Sequence, residues 1–276
     1  MKNILIIDSP KLNTWHFAKL VSKFSNQIQT GIYVYNTMAI PQFPVLAGSY
    51  QPSAVELQHE DFEEFSPLVD KLNNVINNKY QKCESFFLKE NVDFNFENLT
   101  KAISSKKINL IIMSKDDLYF GGKLKTDFVK QLNKIICPVL LIPEIGLIYP
   151  DKISYLTDLR YCTKEAVKFL KIFNGSIFVT HITAPGLTDI EPRYAQQLLA
   201  EFSESMSYKK LFLRNIKGQD KQHFLEVITG GAEINCMAIE SNKHNLLEWF
   251  LPENEQSQFS YGKYPVMVLP YLNWIN

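Results

Sequence analysis

The stretch INLIIMSKDDLYFGGKLKTDFVKQLNKIICPVLLIP, residues Ile108–Pro143, decides the fold of this chain. Its first part, Ile108–Met113, is apolar and rich in β-branched residues, which predicts a fully buried strand. After Gly121-Gly122, apolar residues recur at three- and four-residue spacing and predict a helix that ends at a proline. Val139–Ile142 then predicts a second buried strand. This order forms a βαβ unit with parallel strands, and ligands of such units commonly bind at the loop after the first strand.

Length and charge restrict the class of protein. The chain has 276 residues, of which 46% are hydrophobic, and its formal net charge is zero. This length predicts two domains of ordinary size or one large domain. Zero net charge without a Lys/Arg cluster argues against a nucleic-acid surface, and no apolar run reaches the roughly 18 residues of a membrane span. The N-terminal sequence MKNILIIDS is too short for a signal peptide, so we expect a cytoplasmic protein that binds neither nucleic acid nor membrane.

Reactive residue types occur without the spacing that catalysis or metal binding requires. The histidines lack metal-ligand spacing, and the chain contains neither a Gly-x-Ser-x-Gly elbow nor a Cys–His pair. We therefore predict no catalytic residue and no metal site. The cysteines form no CxxC motif and predict reduced thiols in or near the core. These cysteines are Cys83, Cys137, Cys162 and Cys236.

The strand and helix pattern occurs twice along the chain. Ile234–Ile239 corresponds to Ile108–Met113, and each begins with Ile-Asn. The final strands Val139–Ile142 and Val266–Leu269 each lie between two prolines. This duplication predicts two tandem α/β domains, residues 1–146 and 147–276. Alternating strands and helices predict a five-stranded parallel sheet in each domain, with helices on both faces.

The two halves are expected to pack about a pseudo-twofold axis, as an intramolecular pseudo-dimer. The final strands are candidates for this interface, together with Ile145–Leu147 and Tyr271–Trp274. For Trp274, the alternative is that its side chain covers its own domain.

The order and spacing of these motifs resemble the universal stress protein family in its tandem two-domain form. The likeness covers nearly the whole chain, twice, and implies two Rossmann-like domains of the adenine nucleotide alpha hydrolase-like type. The stretches that carry it are ILIID at Ile4–Asp8, ISYLTD at Ile153–Asp158, IFVTH at Ile177–His181, NLIIMS at Asn109–Ser114, CPVLLIP at Cys137–Pro143 and YPVMVLP at Tyr264–Pro270.

The resemblance also bears on ATP. Family members that bind ATP carry, after the fourth strand, a Gly, two residues, a Gly, nine residues, and then Gly with Ser or Thr. Glycines let backbone N–H groups approach the phosphates, and the following helix N-terminus favours negative charge. In this chain Ser114, Asp117 and Lys125-Thr126 occupy these positions in the first half. The corresponding residues of the second half are Glu240, Lys243 and Pro252-Glu253. The resemblance therefore implies that ATP binding is weak or lost.

The candidate ligand-binding residues belong to this vestigial nucleotide site. They are Asp8, Ser9, Ser114, Gly121, Gly122, Thr126 and Asp158. In the family, the residue that ends the first strand contacts the adenosine part of the nucleotide, and the resemblance gives this role to Asp8 and Asp158. The alternative for both is that they cap the next helix or its turn.

The loop after the fourth strand allows further interpretations. Asp116-Asp117 and Gly121-Gly122 form either a solvated turn or a loop remodelled for an amine or a cation. Lys123, Lys125 and Thr126 either bind a single phosphate or belong to the surface. His181 is expected to end its strand and to make a backbone hydrogen bond.

Three functional hypotheses follow. We favour a non-enzymatic stress-response or regulatory binding protein that needs no cofactor. The alternative is a sensor that binds ATP, AMP or another small molecule in the first domain. A weak ATP hydrolase is the third, and it lacks a recognisable base and metal ligands. Whether two chains form a homodimer, or bind another protein, stays open at this point.

Overall fold

The structure is a computed structural model. The described residues are 3–8, 17–23, 31–36, 83–86, 96–115, 119–120, 123–124, 134–143, 149–157, 164–183, 191–217, 226–228, 233–242, 247, 250 and 264–271. Within these ranges no helix is long and apolar enough to cross a membrane.

The first half alternates strands with helices. Its strands are β1 (Asn3–Asp8), β2 (Gly31–Asn36), β3 (Cys83–Phe86), β4 (Ile108–Ser114), β5 (Tyr119–Phe120), β6 (Lys123–Leu124) and β7 (Val139–Ile142). The helices described in this half are α1, over residues 17–23, and α2 (Phe96–Ser105). Strands β5 and β6 pair only with each other, as a small antiparallel hairpin inside the loop after β4.

The second half repeats this alternation. Its strands are β8 (Lys152–Thr157), β9 (Ser176–Thr183), β10 (Leu211–Lys217), β11 (Cys236–Glu240) and β12 (Val266–Leu269). The helices described in this half include α3 (Lys164–Leu170), which continues as a 3₁₀ turn over Lys171–Phe173, and α4 (Pro192–Glu204).

Ten strands form one sheet in the order β10-β9-β8-β11-β12-β7-β4-β1-β2-β3. The β5–β6 hairpin is not part of this sheet, so each half contributes five strands to it. Counted outward from the centre, these are the fifth, fourth, first, second and third of the half in chain order. All neighbours within a half are parallel. This arrangement confirms the predicted fold class of two tandem Rossmann-like domains, each with a five-stranded parallel sheet.

The two half-sheets join through their final strands, because β7 pairs with β12 in the antiparallel direction. The register pairs Leu140 with Met267, and each of these is the second residue after the proline that precedes its strand. An axis that relates the two halves therefore passes between Leu140 and Met267. The predicted domain boundary between residues 146 and 147 lies outside the described residues, as do Ile145–Leu147 and Trp274.

Apolar side chains cover both faces of the sheet. Because strand side chains alternate between faces, Ile4 and Ile6 belong to one apolar cluster, whereas Leu5 and Ile7 belong to the other. Helices α1, α3 and α4 pack on the first face, and α2 packs on the second. The strands next to the junction are buried along their whole length, as expected for a parallel sheet covered on both faces.

Several strand boundaries differ from the prediction by one or more residues. Strand β11 begins at Cys236 rather than Ile234, and the side chain of Asn235, just before it, accepts a hydrogen bond from the Lys152 N–H and donates to the Tyr149 carbonyl. The apolar residues Leu211–Leu213 predict only the start of strand β10, which continues to Lys217. Its later residues are mostly polar, so they do not show the apolar pattern from which a strand is predicted.

Two cysteines, Cys137 and Cys236, are free and buried. Burial raises the pKa of the Cys236 thiol to about 12, although nearby Lys115 and a backbone hydrogen bond from Met267 oppose the shift. Burial raises the pKa of Cys137 even further. The prediction of reduced core thiols is correct for these two, while the side chains of Cys83 and Cys162 are not among those that the structure describes.

Both buried thiols should be inert in the folded protein, because only the thiolate is nucleophilic and a raised pKa suppresses it. In a variant with Cys83→Ser and Cys162→Ser, a thiol-specific chromogenic reagent at about pH 8 should label neither cysteine. After addition of denaturant it should label both. Rapid labelling of the native variant would contradict this placement.

The β7–β12 junction should be sensitive to lost volume. Leu140→Ala removes a fully buried side chain, and we expect it to lower the free energy of unfolding by about 2–5 kcal/mol in a urea titration. Leu213→Ala is the matched control, since Leu213 is an exposed strand residue. A similar loss in both variants would contradict the central position of Leu140.

Candidate functional site

The candidate site is the carboxyl edge of each half-sheet, where the parallel strands of an open α/β sheet hold ligands. In the first half, β1 ends at Asp8 and β4 ends at Ser114, whose side chain is fully buried. Only the backbone of Asp8 is described; its register partner on β2 is Asn36. The remaining predicted residues lie outside the described part of the chain. They are Ser9, Gly121, Gly122, Thr126 and Asp158.

The second half carries Glu240 where the first half carries Ser114. This equivalence rests on matching backbone hydrogen bonds, since the N–H of Lys115 donates to Ile142 and the N–H of Ser241 donates to Leu269, both at 2.8 Å. Both positions stand at the end of the fourth strand of their half. The sequence comparison of these two loops therefore compares equivalent positions.

Glu240 is buried and does not face solvent. Its carboxylate Oε1 accepts a hydrogen bond of 2.6 Å from the hydroxyl of Tyr155, which is itself fully buried on the neighbouring strand β8. This hydrogen bond offsets part of the cost of burying the carboxyl group. The sequence alone does not indicate Tyr155 as a partner of Glu240, since 85 residues separate them.

Two further buried polar residues, Thr157 and His181, complete this edge. They are register partners on β8 and β9, and the His181 Nδ1 lies 3.3 Å from the Thr157 carbonyl oxygen. Because a carbonyl only accepts, Nδ1 carries the proton in this contact. The predicted backbone hydrogen bond of His181 is therefore present, although β9 continues two residues beyond it.

These side chains share one face of the sheet. Tyr155 belongs to the first apolar cluster, and alternation along the strands places Thr157 and Glu240 on that same face. The opposite face holds a separate polar pair, in which Ser154 Oγ lies 2.9 Å from Thr180 Oγ1. The polar groups on the first face thus form a cluster of a phenol, a carboxyl, an imidazole and a hydroxyl.

Lys115 extends its side chain along the first-half edge toward β12. The residue is 4% exposed, and its ammonium group donates a 3.0 Å hydrogen bond to the Tyr264 carbonyl, just before β12. The equivalent residue of the second half is Ser241, whose short side chain has no such reach. Lys115 therefore links the end of β4 to the junction between the halves.

The strand registers place Asp8 level with Thr157 of the second half. The pairs that fix this are Ile4 with Leu110 and Ile153 with Cys236. Asp158 lies outside the described residues, so its predicted equivalence to Asp8 stays a prediction.

Within the described residues, no group of three His, Cys, Asp or Glu side chains is placed to hold a metal ion. Among the described residues, this edge offers buried polar side chains, led by the Tyr155–Glu240 pair.

The Tyr155–Glu240 hydrogen bond should stabilise the fold. Tyr155→Phe removes the phenol hydroxyl and leaves the buried carboxyl short of a donor, which we expect to cost about 1–3 kcal/mol of unfolding free energy. Tyr194→Phe, at an exposed position of α4, is the matched control and should change stability little. Equal effects in a denaturant titration would contradict the role of this hydrogen bond.

Comparisons with known proteins bear on the fold. No family model matches the sequence, and no curated protein matches it. Solved structures do match. A universal stress protein from Archaeoglobus fulgidus DSM 4304 aligns with a TM-score of 0.59 and 13% identity, covering 98% of this chain and 96% of that chain.

Two structures from Pseudomonas aeruginosa give the same result. A proposed universal stress protein from strain UCBPP-PA14 aligns with a TM-score of 0.53 and 14% identity, covering 98% of this chain and 93% of that one. A functionally unknown protein from strain PAO1 aligns with a TM-score of 0.51 and 12% identity, covering 98% and 92%. At these identities the likeness concerns the fold, and the predicted resemblance is confirmed at that level: over nearly its full length, this chain has the fold of universal stress proteins.

Proposed function

We propose that this protein is a non-enzymatic, stress-related regulatory binding protein in which ATP binding is weak or lost. The fold shared with universal stress proteins supports the first part of the proposal. The buried Glu240 carboxyl at the end of β11 is the single observation that carries the second part.

Glu240 opposes a triphosphate by its volume. Members of the universal stress protein family that bind ATP have a glycine at this position, which leaves room for backbone N–H groups to approach the phosphates. The buried Glu240 side chain fills that room. Because Tyr155 holds the carboxyl by a 2.6 Å hydrogen bond, moving it aside would also break that bond.

The first half offers less opposition, but it also lacks the features of an ATP site. Ser114 places a buried side chain where ATP binders have glycine. The ammonium group of Lys115, the next residue, donates to the Tyr264 carbonyl at the junction, so it is already engaged by the protein. We therefore expect neither half to bind ATP tightly.

A regulatory role agrees with the rest of the sequence. Neither a nucleophile motif nor a metal-ligand spacing is present in the sequence, which favours binding over catalysis. A reducing, cytoplasmic location would suit the buried free thiols Cys137 and Cys236.

Thermal unfolding with nucleotides tests the proposal. ATP, ADP and AMP at millimolar concentration, with and without Mg²⁺, should leave the unfolding midpoint unchanged, because only a ligand that binds the folded state raises it. A ligand at 100 times its Kd would stabilise by about 2.7 kcal/mol, which is several degrees for a domain of ordinary size.

Two outcomes would contradict the proposal. A shift of several degrees with ATP that is absent in Asp8→Ala, but retained in the exposed control Glu204→Ala, would favour a nucleotide sensor in the first domain. Steady phosphate release that persists through repurification would show that the protein is an enzyme.

A further inference from the structure

Strand β10 forms one end of the ten-stranded sheet, and among the described strands its only neighbour is β9. Its register with β9 is unbroken from Leu211 to Lys217, and the strand contains no proline. One side of its backbone therefore has no strand partner within the described residues. An edge of this kind can accept an added strand.

The backbone alternation determines which residues of β10 point outward. The Lys210 carbonyl accepts a hydrogen bond from the Ile177 N–H, so Lys210 and every second residue after it point toward β9. The N–H and carbonyl groups of Leu211, Leu213 and Asn215 therefore point to the outside of the sheet.

The centre of the edge is open and partly apolar. The Leu211 N–H already donates to the Tyr208 carbonyl at 3.2 Å, so an added strand would pair mainly with Leu213 and Asn215, which are both exposed. Phe212 is 45% exposed and Leu213 is 37% exposed. Because these two residues are consecutive, they lie on opposite faces of the sheet, and an added strand would gain apolar contacts on both faces.

The chain around this edge is basic. Residues 205–219 include no acidic residue and four basic ones. The four are Lys209, Lys210, Arg214 and Lys217. The Arg214 guanidinium is held by the protein, since it donates to the Val227 and Ile228 carbonyls at 3.1 and 3.3 Å. Carbonyl groups carry no net charge, so these contacts leave the positive charge of Arg214 uncompensated.

The two lysines before the strand are also uncompensated. The exposed Lys210 ammonium donates to the Asn174 carbonyl at 2.8 Å, which is again a neutral acceptor. The exposed Lys209 ammonium makes neither a hydrogen bond nor an ion pair with the part of the chain that the structure describes. Exposed lysines without a carboxylate partner attract an acidic partner at close range.

This charge pattern opposes a second copy of β10 as the added strand. An antiparallel copy centred on Leu213 would set Lys209 opposite Lys217, and like charges opposite each other on paired strands are destabilising. Lysine on a sheet edge is a common protection against self-association. The same charges attract a strand of opposite charge, and repulsion of one partner combined with attraction of another is a source of specificity.

We propose that β10 binds an extended acidic segment of another protein, which adds to the sheet as a further strand. The segment carries apolar side chains at its centre, beside Phe212 and Leu213, and Asp or Glu toward its ends, where β10 is flanked by Lys209 and Lys217. Backbone hydrogen bonds to the edge supply affinity, and the side chains select the sequence. The surface uses no residue of the candidate nucleotide site, so its test is independent of the nucleotide measurements.

A synthetic peptide with the sequence Asp-Glu-Val-Thr-Val-Thr-Val-Glu-Asp represents such a segment, and its acidic ends suit either strand direction. Labelled with a fluorophore and titrated with the full chain, it should bind with a dissociation constant of about 10–100 µM by fluorescence anisotropy, because only one strand is added. Raising the salt concentration from about 50 to about 500 mM should weaken binding at least about threefold, since exposed charges are screened.

Two control peptides separate the contributions of charge and strand pairing. Replacing every valine by glycine keeps the charge but removes the apolar side chains and the strand preference, and should weaken binding at least about tenfold. Replacing every acidic residue by lysine keeps the strand preference and should weaken binding by at least as much, because the peptide then repels the edge.

Variants of the protein test the edge itself. Leu213→Pro removes an outward N–H that β9 does not use, so it should fold and bind the acidic peptide at least about tenfold more weakly. Lys209→Glu should weaken binding at least about fivefold by reversing an exposed charge. Lys101→Glu, at an exposed position on α2 in the first half, is the matched control and should bind as the wild type does. Circular dichroism melts verify that each variant is folded.

Several outcomes would overturn the proposal. They are the absence of saturable binding of the acidic peptide up to about 1 mM protein, equal binding of the glycine peptide, and equal effects of Lys209→Glu and Lys101→Glu. A single-stranded RNA oligonucleotide that binds more tightly than the acidic peptide would instead assign the edge to nucleic acid. A wild-type dimer in sedimentation equilibrium that Leu213→Pro dissociates would assign it to a second copy of this chain.

Discussion

The antiparallel pairing of β7 with β12 is the contact on which the rest of the structure depends. Each of these strands also pairs in parallel with the fourth strand of its own half, so each is the inner edge of one half-sheet. Without the junction, both edges would expose to water the backbone groups and the apolar side chains that the pairing buries. The pairing removes both costs together, which is why two five-stranded sheets become one continuous sheet.

The halves share this scaffold but differ at the carboxyl edges of their sheets. The end of β4 carries Ser114 and Lys115, and the lysine reaches the junction; the end of β11 carries Glu240, which binds Tyr155. Both solutions fill the edge with the protein's own side chains. The strands are alike in the two halves because they form the core. The residues at and beyond the strand ends differ, and so do the groups that a ligand would meet there.

The sequence is sufficient to predict what local pattern encodes. Buried strands such as Ile108–Met113 are continuous apolar runs, and their repetition, bracketed by prolines, indicates the tandem fold. Contacts between residues that are far apart in the sequence are harder to predict. The partner of Glu240 depends on strand register, because a shift of one residue changes the face without changing the pattern. The polar end of β10 cannot be predicted for another reason: an edge strand needs few apolar residues, so it lacks the apolar pattern from which strands are predicted.

The axis at the junction relates two different side chains, which is not possible between identical subunits. Where two identical chains meet on a twofold axis, the same side chain must serve on both sides, whereas in this chain Leu140 meets Met267. A fused chain can therefore vary one side of its own centre independently of the other. Its halves also remain together at any dilution, because the covalent link fixes their effective concentration. The two halves of this protein are thus related by an approximate twofold axis, although the side chains on its two sides differ and the association of the halves does not depend on protein concentration.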